Sequence, residues 1–249
     1  MLKTMTILVM AGVMAAVGSE ATAQTQPPPA SLGFLNVNFG TQPSGRSLGR
    51  INSFPVYGET ATLTTAQENS GGAIFDITGG YRFRPNILGS RRDLAAAIGF
   101  SNFSDTSSSG VVVTVPNPLI FDRPQTVNLT ATDLHHSERG VHLQAVWFFP
   151  VTNQIDVALS AGPSFIRVSQ DLVSSVTIPA GTQNATPNVT TEGKTGVGVN
   201  IGLDGSYLIT RNFGAGVFIR YAGAKVDLPS VSDLRVGGLQ AGVGARVRF

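Results

Sequence analysis

Along most of the chain apolar residues fall on every second position, the period that puts one set of side chains on each face of a β-strand. The clearest run is residues 234–249, LRVGGLQAGVGARVRF. Leu239, Ala241, Val243, Ala245, Val247 and Phe249 form one apolar face, while Gln240, Gly242, Gly244, Arg246 and Arg248 form the other. The same alternation recurs upstream. Residues 32–40 set Leu35, Val37 and Phe39 against Asn36 and Asn38. Residues 73–83 set Phe75, Ile77, Gly79, Tyr81 and Phe83 against Asp76, Thr78 and Arg82. Residues 94–103 place Leu94, Ala96, Ile98 and Phe100 on one face, and residues 141–149 place Val141, Leu143, Ala145, Trp147 and Phe149 opposite His142 and Gln144. Residues 155–165 oppose Ile155, Val157 and Leu159 to Asp156 and Ser160. Residues 197–209 and 213–221 continue the pattern, with Asp204, Ser206 and Arg220 on their polar faces. The pattern predicts an all-β chain of about eight strands.

The connections sort by length. Residues 84–92, 150–154 and 211–212 make short ones, whereas 42–72, 104–132 and 171–194 are long and rich in Ser, Thr, Asn, Gly and Pro. Short and long alternate strictly, as they do in membrane barrels with short turns on one side and long loops on the other. Residues 227–233 then form a modest loop on the long-loop side. Parity requires one strand before Gly72; residues 32–40 are assigned to it, with residues 54–65 extending a hairpin outside. Tyr81, Phe83, Trp147, Phe149, Tyr207, Phe213 and Phe249 fall at the short-turn ends, and Phe39, Phe100, Phe165 and Tyr221 at the other ends. Two aromatic girdles at bilayer surfaces account for that distribution. The competing reading, a soluble β-protein with aromatic core residues, leaves the loop alternation unexplained.

Composition narrows the class further. Residues 1–23 read as a secretory signal peptide, with Lys3 in the positive segment, an apolar run over 6–17 and small residues at Ala21-Thr22-Ala23. The apolar run falls short of the roughly 20 residues a spanning helix needs. Residues 24–31 are a Pro-rich lead-in, and 32–249 form one domain. With no cysteine there is no disulfide framework, thiol chemistry or lipidated cysteine. A net charge of +2, carried by scattered basic residues, gives no reason to expect nucleic acid as a partner.

The segments FLNVNFG (34–40), FDITGGYRF (75–83) and VGARVRF (243–249) resemble the OmpA-like and OmpW-like small outer-membrane barrels. The resemblance covers nearly all of residues 32–249. It implies an eight-stranded antiparallel up-and-down transmembrane β-barrel in the outer membrane of a Gram-negative bacterium, among lipid and lipopolysaccharide. The final stretch, with Phe249, Val247, Ala245, Val243 and Ala241 at alternate positions, also resembles the signal that the barrel-assembly machinery reads. The peptidoglycan-binding domain of longer OmpA-type proteins is not expected after this barrel.

Function is less legible. An eight-stranded barrel is about filled by its own side chains. Asp76, Arg82, Asp156, Asp204, Arg220, Arg246 and Arg248 should share its lumen, where unpaired charge is costly, so a salt-bridged interior is expected. The leading expectation is a non-enzymatic barrel serving envelope structure or surface interaction, with an extracellular ligand held by its loops. The apolar runs VVVTV (111–115) and PLIF (118–121) mark such a surface, or else extend the strands as a hairpin. A narrow porin-like channel is the second reading. The third rests on LHHSERG (134–140), in which His135 and Ser137 share the outward face. That pair resembles the active-site strand of outer-membrane lipid A deacylases, where a serine nucleophile, a histidine base and an orienting acid act together. No acid is evident on that face, and Glu138 points the other way with His136 and His142. No cofactor is expected, and three scattered histidines without cysteine make no metal site.

Overall fold

The computed structural model describes residues 32–249 apart from 44–45, 57, 70, 84–92, 118–122 and 179–184. The expected signal peptide, the lead-in, the turn at 84–92 and the PLIF run lie outside the described residues. Every described element is a strand: β1 (Gly33–Gln42), β2 (Arg46–Val56), β3 (Glu59–Asn69), β4 (Gly72–Phe83), β5 (Asp93–Val115), β6 (Gln125–Pro150), β7 (Ile155–Thr177), β8 (Thr186–Leu208), β9 (Phe213–Leu228) and β10 (Val231–Arg248). β1 and β4 to β10 form a closed ring of eight, each strand antiparallel to both neighbours. β2 and β3 form a separate hairpin, attached where β3 pairs with the far end of β5.

Residues 32–40 therefore do supply the first ring strand, and residues 54–65 do belong to a hairpin outside it. Closure occurs between β1 and β10, in a ladder running from Phe34↔Arg248 to Thr41↔Ala241. Gly33 and Phe249 exchange backbone hydrogen bonds of 2.7 and 3.0 Å at its end. The Phe249 ring lies over Gly33, where a Cβ would come within 2.3 Å of it. A side chain at position 33 would displace the terminal aromatic residue.

The ring is inverted relative to a soluble protein. Its outward set (Phe39, Ile98, Leu143, Val199, Val217 and Val243 among others) is apolar and exposed, while its inward set is buried and largely polar. On β10 this apolar face runs from Leu239 to Phe249, about 34 Å along the strand at about 3.4 Å per residue. At a tilt of about 40° that gives roughly 26 Å of height, the thickness of the apolar band of an outer-membrane barrel. The aromatic residues expected at both rims face outward. Trp147 stacks beside Phe149 at 5.1 Å between centroids at the short-turn rim, and Phe39 meets Phe75 edge-on at 5.5 Å at the other.

The long connections are mostly not loops. β5 and β6 run on beyond the belt and stay paired to Val115↔Gln125, and β7 and β8 stay paired to Thr177↔Thr186. The modest loop expected at 227–233 is a tight turn, since β9 ends at Leu228 and β10 starts at Val231. Together with the β2–β3 hairpin these extensions form a second tier of wall. In it the face alternation reverses sense: Val111, Val113 and Val115 point inward with Leu63, Leu134 and Val173 into a buried apolar cluster. Phe54 and Val56 of β2 pack on that cluster, and Leu48 packs on a second one around Ile166, Val168 and Val226. Val111, Val113 and Val115 of the VVVTV run are thus core, while Val112 between them faces outward and is exposed.

The two tiers hold together by different means, so they should separate experimentally. Val113→Asp, burying a charge at a fully enclosed position, should open the upper tier to protease on intact cells. The membrane ring should still give a folded band that shifts on boiling. Loss of both together would show that the tiers fold as one unit.

Candidate functional site

The inward side chains of the ring form one connected chain of hydrogen bonds along the barrel axis. Near the short-turn end, Arg248 Nη1 donates to Asn36 Oδ1 at 2.9 Å and Nη2 to Ser206 Oγ at 3.3 Å. Ser206 donates to Asp204 at 2.8 Å, and Asp204 accepts a two-pronged contact from Arg246, at 3.1 and 2.6 Å. Arg246 also donates to Asn38 at 2.7 Å, and Asn38 to Asp76 at 2.9 Å. Asp76 then takes Arg220 Nη1 at 2.8 Å. From Arg220 the chain continues through Gln240 (2.8 Å), Gln42 (2.7 Å) and Glu138 (3.0 Å) to His136 (3.0 Å). Beside it, Arg82 reaches Asp156 at 3.5 Å and stacks over the Phe148 ring at 3.8 Å. The seven charged residues expected in the lumen all stand on this inner face.

The period-two pattern carries no cross-barrel partner, so it missed the neutral links. Asn36, Asn38, Gln42 and Gln240 join the ion pairs, and each is inward by the same parity as the charges. A second branch, also unforeseen, runs from Ser101 through His142 and Ser164 to Asn200 and Gln144, with links of 2.7 to 2.9 Å. Glu138 sits beyond Arg139 on β6, above the apolar belt. Burial alone would raise its pKa. Hydrogen bonds from His136 and Gln42, with the Gly237 N–H at 2.9 Å, hold it instead at about 2. Gly237 can turn its N–H inward because its φ is +81°, and a Cβ there would meet the Ala222 carbonyl at 2.0 Å.

Between Asp76, Arg220, Gln144 and Phe148 the lumen leaves a cavity of about 50 Å³, room for a few waters. On the outer wall the structure places His135 and Ser137 on one face, as expected. It does not join them: the His135 ring lies 3.4 Å from Thr106 Oγ1. An acid is nearby after all. Asp171 of β7 stands opposite His135, but its carboxylate accepts from the His135 backbone N–H at 3.1 Å and from Thr191 at 2.6 Å. Asp105 is turned to the Gly71 N–H at 3.3 Å. Serine, imidazole and carboxylate are therefore neighbours without the relay that nucleophilic catalysis needs. No group of three or more His, Asp or Glu placed to hold a metal ion occurs among the described residues.

A closed antiparallel ring, lipid-facing outside and ion-paired inside, defines an integral outer-membrane β-barrel. Several solved structures align with most of the chain. Neisserial surface protein A is 19% identical, over 89% of this chain and 99% of its own, with a TM-score of 0.44. The outer membrane protein OprG from Pseudomonas aeruginosa is 11% identical, over 88% and 96%, with a TM-score of 0.43. Ail, the attachment invasion locus protein of Yersinia pestis, solved with the heparin analogue sucrose octasulfate, is 11% identical, over 86% and 99%, with a TM-score of 0.40. No protein-family model and no curated protein sequence matches the chain.

Two changes test the lumen. Asp76→Asn would leave Arg220 buried without its counter-charge, and should lower stability in lipid vesicles by about 3 kcal/mol, read by urea titration. Glu138 has its pKa lowered on folding, so its contribution is present above its unfolded value near 4.5 and is lost as pH falls through about 2. Wild-type stability should decline across that window by on the order of 3 kcal/mol. Glu138→Gln should be less stable at pH 7 and should lack that acid limb.

Proposed function

We propose that this protein is a non-catalytic outer-membrane barrel whose role is to carry a rigid tier above the membrane for envelope structure or surface interaction. The observation that carries this reading is the division of the molecule. Below, a lumen is bridged from wall to wall by ion pairs and amides. Above, an equally ordered wall stands clear of the belt on its own apolar core. A tier held by buried Val and Leu side chains keeps one shape, which suits recognition of a partner outside the cell and gives nothing to a channel. The connected lumen favours a plug over a pore, because the Arg220–Asp76 and Arg82–Asp156 pairs each join strands three places apart in the ring and so cross the bore.

Planar-bilayer recording on the purified barrel tests this directly. Wild-type protein should give no discrete conductance steps, and Asp76→Ala with Arg220→Ala should introduce small ones. Steady unitary conductance from wild type would favour the channel reading and overturn this one. For the hydrolase alternative, expression should leave lipid A mass unchanged, with or without Ser137→Ala.

A further inference from the structure

The register of β5 to β8 sets side chains in rows across the outer wall, and one row breaks a general rule. The last apolar row of the belt is Phe100, Val141, Phe165 and Val197, each paired with the next. Directly above it lie Asn102, Arg139, Arg167 and Thr195. Arg139 and Arg167 are exposed, outward-facing and exactly cross-strand partners, with Cβ atoms about 5 Å apart by strand geometry. Like charges in that relation destabilise a sheet. Neither guanidinium has an ion-pair partner among the described residues, whereas the other outward basic pair, Lys225 and Arg235, has Asp233 3.5 Å from the lysine.

A pair of unneutralised arginines is tolerable when an anion sits between them. Guanidinium forks match phosphate oxygens in shape and charge, and two forks from adjacent strands can share one phosphate group. The height says which phosphate. The arginine row stands two residues above the final apolar row, about 7 Å along the strand, at the level where acyl chains give way to headgroups. Ser137 and Ser169 face each other in the next row up, offering hydroxyls to a sugar. Phe100, Val141, Phe165 and Val197 offer the surface on which acyl chains would lie.

We propose that Arg139 and Arg167, with the Ser137–Ser169 row above and the apolar row below, form a binding site for the phosphate of a phosphorylated glycolipid in the outer leaflet. This rests on the reading that the barrel spans the outer membrane with its upper tier outside. It also gives the HHSER strand a role that needs no catalysis: its outward residues would hold a headgroup rather than cleave it.

The test uses the mature protein refolded in zwitterionic micelles and titrated with bis-phosphorylated lipid A. Wild type should bind, and Arg139→Gln with Arg167→Gln should weaken binding at least tenfold. The same lipid stripped of its phosphates should bind wild type no better than it binds the double variant. Arg139→Lys with Arg167→Lys, which keeps charge and loses the forks, should fall between. The pair Lys225→Gln and Arg235→Gln should leave affinity within twofold. Unchanged affinity in the glutamine variant would overturn the site. Inorganic phosphate displacing lipid A at equal concentration would overturn the lipid assignment in favour of a free anion. A cold gel run on each sample separates this failure from that of the barrel reading. A heat-shifted band with phosphate-independent binding sinks only the site, and the absence of such a band in wild type sinks both.

Discussion

Everything in this molecule follows from one requirement: no backbone N–H or C=O can be left unpaired in hydrocarbon. A sheet meets it only by closing, and this one closes where β1 accepts β10 along eight consecutive residue pairs. Closure fixes the rest. It makes the exterior a continuous lipid surface and the interior a narrow space shared by whatever the polar faces carry. Above the belt water can satisfy backbone groups, so the ring need not persist. There the wall takes on the β2–β3 hairpin in place of β4, and among the described strands β2 pairs with β3 alone.

The interior answers a second demand that closure creates. Acids and bases enclosed together are costly unless each finds a partner. Here the amides of Asn38, Gln42 and Gln240 act as couplers between ion pairs too far apart to touch. The bore is thereby held by cross-links in every direction, and the wall cannot flatten without breaking several at once.

The ring was legible in the sequence because lipid and lumen impose opposite preferences on alternate residues, so each strand announces both faces. The charged residues of the lumen could be assigned by parity alone. The upper tier was harder to read. Over Val111 to Val115 the buried face is inward and the outward residues meet water, so the alternation has the form of a soluble sheet and stood among residues typical of loops. Partnerships were invisible for a different reason. That Asp171 stands opposite His135, or that Gly237 donates to Glu138 from 99 residues away, depends on registers that no single strand encodes. The sequence pattern tells which way a side chain points and is silent about what it meets there.

Arg246 and Arg248 both belong to the last strand of the ring, yet their partners Asn36, Asn38 and Asp204 lie up to 212 residues earlier. A chain that has laid down β1 to β9 is therefore unfinished twice over, with an open edge and an acid still lacking its counter-ion. Both defects are cured by the same strand in the same step. Partial assemblies gain nothing by entering the bilayer early, and the order of events is written into the electrostatics: the barrel becomes electrically complete only at the moment it becomes a barrel.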